Sequence, residues 1–176
     1  MSVLNAWKQD LIGGISVSLR EQAQPDDLAA VRRITESSGF FQAAEIEVAV
    51  ELVQARLSQG AASSYYFLFA EAAPPVGETI GYSCFGPIPC TQGSFDLYWI
   101  AVQDSYRGIG LGKLLLAESE AIIRRMAGRR IYVETSSRSQ YEPTRNFYNR
   151  NGYRQEALIP EFYAPGDGKI IYTKVM

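Results

Sequence analysis

Apolar residues along this chain change their period several times, and each change predicts an element. Residues 15–22, "ISVSLREQ", read as a first strand. "PDDLAAVRRITESSG" reads as a helix: Pro25 and two aspartates open it, Leu28, Val31 and Ile34 share a face, and Gly39 stops it. A second helix carries Ile46, Val50, Val53 and Leu57 on one stripe, with Gly60 beyond its end. "SYYFLFAE" and "TIGYSCF" read as strands across an "APPVG" turn, and "GPIPCTQGS" reads as a loop. "FDLYWIAV" is apolar nearly throughout, which predicts a strand buried on both faces. Leu111, Leu115, Ile122 and Met126 then return to helical spacing, and Gly128 ends that helix. "RIYVETS" is the next strand, and "EPTRNFYNRNG" a short helix with Pro143 near its first turn and Gly152 at its end. "YRQEALI" and "KIIYTKV" are the last two strands, joined by "PEFYAPGDG". The predicted order is β-α-α-β-β-β-α-β-α-β-β, an α/β (α+β) chain with a mixed sheet flanked by helices. Residues 1–12 read as an N-terminal extension and 13–176 as a single domain.

Composition narrows the chemistry. The 176 residues carry a net charge of −2, and no basic stripe stands out, so no nucleic-acid partner is expected. Cys84 and Cys90 lack metal-type spacing and read as free thiols in a reducing cytoplasm. No apolar run reaches the ~20 residues of a membrane span, and no signal-peptide pattern opens the chain. The expectation is a cytoplasmic protein that engages no membrane. There is no histidine at all. That removes the Ser-His-Asp triad, the Cys-His pair and histidine metal sites, so no metal is expected. Proton transfer must then fall to Asp, Glu, Tyr, Lys, Cys or water.

The stretch "QDSYRGIGLGKLL", residues 103–115, sets Gly108, Gly110 and Gly112 at the mouth of a helix. A helix start leaves backbone N–H groups without partners, and its dipole favours negative charge. Glycines let an anion approach those groups closely, which suggests a pyrophosphate cradle. The P-loop pattern fails, because Arg107 and Leu114 stand where it needs glycine and Ser or Thr. The dinucleotide fingerprint also fits poorly: Gln103 to Arg107 separate the glycines from their strand, and Lys113 replaces the third glycine.

"IAVQDSYRGIGLGKLLL" resembles the acetyl-CoA-binding motif of the GNAT N-acetyltransferases: a strand ending in valine, a short loop, then [Q/R]-x-x-G-x-[G/A] opening a helix. Arg107, Gly110 and Gly112 occupy its fixed places. "YEPTRNFYNRNGY" is similar to the second signature of that family, a short helix with an aromatic-Tyr pair followed by Gly and an aromatic. One departure stands out: Tyr141 and Thr144 replace the asparagine and alanine that many members carry there.

The resemblance implies a mixed, mostly antiparallel sheet of roughly six to seven strands, flanked by about four helices, with a V-shaped splay between the central strands. It implies acetyl-CoA as co-substrate. The pantetheine arm would pair with the main chain of Ile100 to Val102, Ala101 included, and the pyrophosphate would sit on amides from Arg107 through Gly108, Ile109, Gly110 and Gly112 to Lys113. A free amine would attack the thioester directly, with Tyr148 as proton donor to sulfur and its neighbour Phe147 in the core. Asp96 and Glu134 are the candidate bases, with ordered water as the other option. Acceptor-side candidates are Phe40, Phe41, Tyr65, Trp99, Phe162 and Tyr163, the last two in a suspected substrate-side flap, "EFYAPGDG". A small-molecule amine is the expected acceptor, and a homodimer is common in such proteins. The alternative is a catalytically silent acyl-CoA-binding sensor.

Overall fold

The computed structural model describes residues 9–73 and 77–176. Eight strands form one sheet: β1 (Gln9–Ile12), β2 (Ile15–Arg20), β3 (Tyr66–Ala72), β4 (Thr79–Pro87), β5 (Ser94–Val102), β6 (Arg130–Ser136), β7 (Arg154–Ala164) and β8 (Asp167–Val175). The helices are α1 (Asp27–Ser37), α2 (Ala43–Gln59), α3 (Leu111–Arg125) and α4 (Glu142–Arg150). Strand order is β1-β2-β3-β4-β5-β6-β8-β7. β5 and β6 run parallel, while β1–β2, β2–β3, β6–β8 and β7–β8 are antiparallel. The predicted mixed α/β sheet is therefore present, with eight strands rather than six to seven.

The extra strand comes from the segment expected to be an extension. Gln9–Ile12 pairs with β2 across Gly13 and Gly14, and Ile12 stands opposite Ile15. Residues 1–8 of that segment lie outside the described residues, as do 74–76 of the "APPVG" turn.

The chain forms two compact units. One comprises residues 1–84 and 99–119, the other 85–98 and 120–176. In the first, α1 buries Ala30, Val31 and Ile34, and α2 buries Ile46, Ala49 and Val53. These meet Phe67, Phe69, Tyr82, Cys84 and Ala101 from the strands. Val50 and Leu57 of the predicted α2 stripe are only partly buried against that cluster. Arg20 is buried and forks onto Asp27 at 2.8 and 2.9 Å, and its Nε donates to Glu71 at 2.8 Å. In the second unit Phe95, Leu97, Ile122, Ile123, Ile131, Val133, Tyr148, Tyr153, Ile170 and Tyr172 are buried.

Two expectations need correction. β5 is not buried on both faces: Phe95, Leu97 and Ala101 are buried, but Tyr98 is 40% exposed. An apolar run does not reveal whether a second layer covers it. The "PEFYAPGDG" segment is not a loop. β7 continues to Ala164 and β8 starts at Asp167, so the segment is the end of a hairpin. Pro160 and the glycines suggested a loop. The backbone accommodates them through a register shift between Ile159 and Ala164, with Glu161 at a φ of 52°.

Candidate active site

In the first unit β5 ends at Val102 and the chain is pinned at once. Gln103 N–H donates to the Ile80 carbonyl at 2.9 Å, and Asp104 N–H to Ser37 Oγ at 3.1 Å. One tight turn follows, closed by Tyr106 N–H to Gln103 and Arg107 N–H to Asp104. Gly108 and Gly110 then take φ of 79° and 100°, backbone that side chains rarely adopt. Among the described residues, a Cβ at either would meet no atom within 4 Å, so these leave the space beside them open. Leu114 N–H makes the first bond back into α3, to the Gly110 carbonyl at 3.1 Å. Amides from Gly110 to Lys113 therefore precede the first helical hydrogen bond. Gly112 lies inside the first turn of α3.

Arg107 is held at the side of this loop. Its guanidinium pairs with Asp104 at 3.3 Å and lies 5.0 Å from the Phe40 ring centroid. Phe41 packs on Trp99 with ring centroids 4.8 Å apart. Phe40, Phe41, Trp99, Ile100, Ala101, Val102 and the glycine loop thus all belong to one unit. Tyr65 packs, partly buried, against that unit's core.

The second unit holds the titratable candidates. β5 pairs with β6 only from Ser94 to Asp96, opposite Arg130 to Tyr132. β6 continues on its other side, paired with β8 as far as Ser136 opposite Lys169. Among the described residues no ladder partner on β6 follows Asp96, which is the local form of the predicted splay. This register sets Asp96 diagonal to Glu134, two residues beyond Tyr132, and Glu134 diagonal to Lys169. Lys169 Nζ pairs with the Glu134 carboxylate at 2.6 Å and lies 3.8 Å from the Phe162 ring centroid and 5.9 Å from that of Tyr163. Phe162 and Tyr163 are about half exposed. The structure thus brings together Asp96, Glu134, Phe162 and Tyr163, and adds Lys169, which sequence reasoning missed. Its place beside Glu134 depends on the β6–β8 register, which no local pattern encodes.

Burial pushes the Asp96 carboxyl above its ordinary value. The Glu134 carboxylate adds to the rise, and Lys169 opposes it. A carboxylate displaced upward is a better base near neutral pH.

Tyr148, on α4, is buried among Phe147, Tyr153 and Tyr172, with ring centroids at 5.3, 5.4 and 6.0 Å. Burial raises its phenol above the ordinary tyrosine value, so it stays neutral. The assignment of Phe147 to the core is corrected: it is half-buried, and Tyr148 is the buried residue of α4. One helical position separates them by ~100°, so only one of the pair can point inward.

A model of the acetyltransferase (GNAT) domain matches residues 63–155, more than half of the chain. A crystal structure from Desulfovibrio desulfuricans, assigned to the GNAT family of acetyltransferases, is 46% identical with a TM-score of 0.87, covering 90% of this chain and 98% of that one. The PaiA N-acetyltransferase of Thermoplasma acidophilum, solved in complex with coenzyme A, shares the fold at 18% identity, with a TM-score of 0.65 over 89% of this chain and 98% of its own. An uncharacterized N-acetyltransferase of Methanocaldococcus jannaschii is 33% identical over 75 residues, 43% of this chain. That match spans 47%, about half, of the relative's own length. The chain belongs to the GNAT acetyltransferase family.

Proposed function

We propose that this protein moves an acetyl group from acetyl-CoA to a primary amine of a small-molecule acceptor, by direct attack in a ternary complex. The observation that carries the reading is the glycine loop before α3. Its amides precede the first helical hydrogen bond, and among the described residues no atom closes the space beside Gly108 and Gly110. A diphosphate suits that combination of open approach, donors ahead of the first helical bond, and helix dipole. The coenzyme A complex of the Thermoplasma relative supports this choice of anion.

Acetyl-CoA supplies the acyl carbon already activated as a thioester. The chain's own groups do the rest. Amides from Gly108 to Lys113 bind the diphosphate, beside the Arg107 guanidinium; the Arg107 N–H is already given to the Asp104 carbonyl. The main chain of Ile100, Ala101 and Val102 holds the pantetheine arm as an added strand would, and an N–H near Val102 polarises the acyl carbonyl. Asp96 accepts the proton of the attacking amine, directly or through water, and its raised pKa suits that role. Glu134, the other candidate, is already paired with Lys169 at 2.6 Å. Trp99 is the acceptor-side candidate of the first unit, and Phe162 and Tyr163 are those of the second.

Tyr148 serves the leaving sulfur. A phenol above its reference value of ~10 is a weaker acid than a thiol near ~8.5, so complete transfer in water runs uphill. Desolvation raises the thiolate's basicity as well, and a hydrogen bond to sulfur strengthens as charge develops there.

The test is thiol release from acetyl-CoA against a panel of amines, amino acids and polyamines. Turnover that depends on one class of amine supports the reading. Tight coenzyme A binding with no turnover on any amine replaces it with a sensor.

A further inference from the structure

The β1–β2 hairpin has no role in the chemistry above, yet it touches the loop that does. Gly13 and Gly14 take φ of 56° and 83°, and Ile12 pairs with Ile15 to close a two-residue turn. A Cβ at Gly13 would lie 2.6 Å from Ile109 Cβ and 2.9 Å from its Cγ2. At Gly14 it would meet nothing within 4 Å among the described residues. The turn and Ile109 belong to the same compact unit.

Ile109 stands between Gly108 and Gly110, both in left-handed backbone. Each flanking glycine gives the unbound loop freedom that binding must remove. Ile109 is partly buried within an otherwise exposed Arg107–Gly110 segment. Its contact with the bare face of Gly13 therefore anchors the middle of a loop whose two ends are held by the Arg107 N–H on Asp104 and the Leu114 N–H on Gly110. Ordering the loop before the diphosphate arrives lowers the entropy lost on binding.

We propose that Gly13 is a positioning residue for coenzyme binding: by lacking a Cβ it lets the β1–β2 turn clamp Ile109 and preorganise the Gly108–Gly110 amides. The inference rests on the acyl-CoA reading above.

The experiment compares Gly13→Ala with Gly14→Ala by calorimetric titration with coenzyme A, alongside each variant's Tm. Both substitutions strain a left-handed position, but only the first drives a methyl into Ile109. Gly13→Ala is expected to raise the Kd by about fivefold or more over Gly14→Ala, the lower end of ordinary coupling between sites. In an Ile109→Gly background the two turn variants are expected to bind alike, because the obstructing atoms are gone. Ile109→Ala keeps the test alive if Gly13→Ala fails to fold: on an intact turn it should weaken coenzyme A several-fold with little change in Tm. Equal Kd values for the two turn variants, or an Ile109→Ala protein that binds as tightly as the parent, overturn the inference. If the parent binds coenzyme A and only these comparisons fail, the proposed activity stands. If the parent takes up no coenzyme A, both fall.

Discussion

Tyr148→Phe separates chemistry from packing more sharply than any other substitution in this chain. The ring makes three aromatic contacts, to Phe147, Tyr153 and Tyr172 at 5.3, 5.4 and 6.0 Å. Phenylalanine keeps all three and removes only the hydroxyl. Truncating a buried aromatic to alanine costs about 3–5 kcal/mol, whereas deleting one hydroxyl at constant shape should change stability by about 1 kcal/mol or less. The folded protein and its affinity for coenzyme A should therefore survive. The proton given to sulfur should not: loss of a general acid lowers kcat by roughly 10²- to 10⁴-fold. At ~1.36 kcal/mol per decade that adds about 2.7–5.4 kcal/mol to the barrier. The assay is thiol release at saturating acetyl-CoA and acceptor, with Tm measured in parallel. The pH profile gives a second reading. The proposed acid is the neutral phenol of Tyr148, whose pKa burial raises. Its deprotonation therefore sets no alkaline limb below the ordinary tyrosine value of ~10. Unchanged kcat in the phenylalanine protein would remove Tyr148 as the acid. A large fall in Tm would show that the hydroxyl is structural.

Other outcomes follow from the same geometry. Asp96→Asn should abolish most turnover without lowering stability at neutral pH. A carboxyl whose folded pKa is raised stabilises the fold when protonated and loses that contribution as pH rises through the raised value, so the neutral amide removes a penalty; a large drop in Tm at pH 7 would contradict this. Lys169→Met should move the acid limb of kcat/KM to higher pH, because it removes the charge that opposes the rise at Asp96 and leaves Glu134 unpaired; a limb that stays in place would exclude Asp96 as the group titrating. Asp27→Asn should cost about 3 kcal/mol or more in urea unfolding, since it strips a forked partner from the buried Arg20; a loss under ~1 kcal/mol would show that Glu71 and the Gln22 carbonyl together satisfy Arg20.

Much of this arrangement was legible in the chain itself because its signals are local. "RIYVETS" folds as β6 over the same seven residues, and the helix after Gly108 and Gly110 begins at Leu111. Glycines in left-handed backbone at the mouth of a helix mean the same thing in sequence and in space. Other features were hidden for physical reasons. Gln9–Ile12 lacks a period of its own, although the Gly13–Gly14 pair that closes its hairpin was there to be read. The exposure of Tyr98 depends on where β5 leaves β6, which is a matter of pairing and not of hydropathy. Pro160 and Gly166 disguised the length of β7, because a bulge lets a strand pass through residues that usually end one. Lys169 lies 35 positions from Glu134 along the chain, and only the β6–β8 register makes them neighbours. The acceptor's identity is not written in any motif, since aromatics such as Phe162 and Tyr163 suit many amines.

The most direct test is a crystal structure of the protein grown with coenzyme A. The account predicts the diphosphate on backbone amides between Arg107 and Lys113, with the pantetheine arm running along Ile100 to Val102. Diphosphate density at any other place on the protein would contradict it.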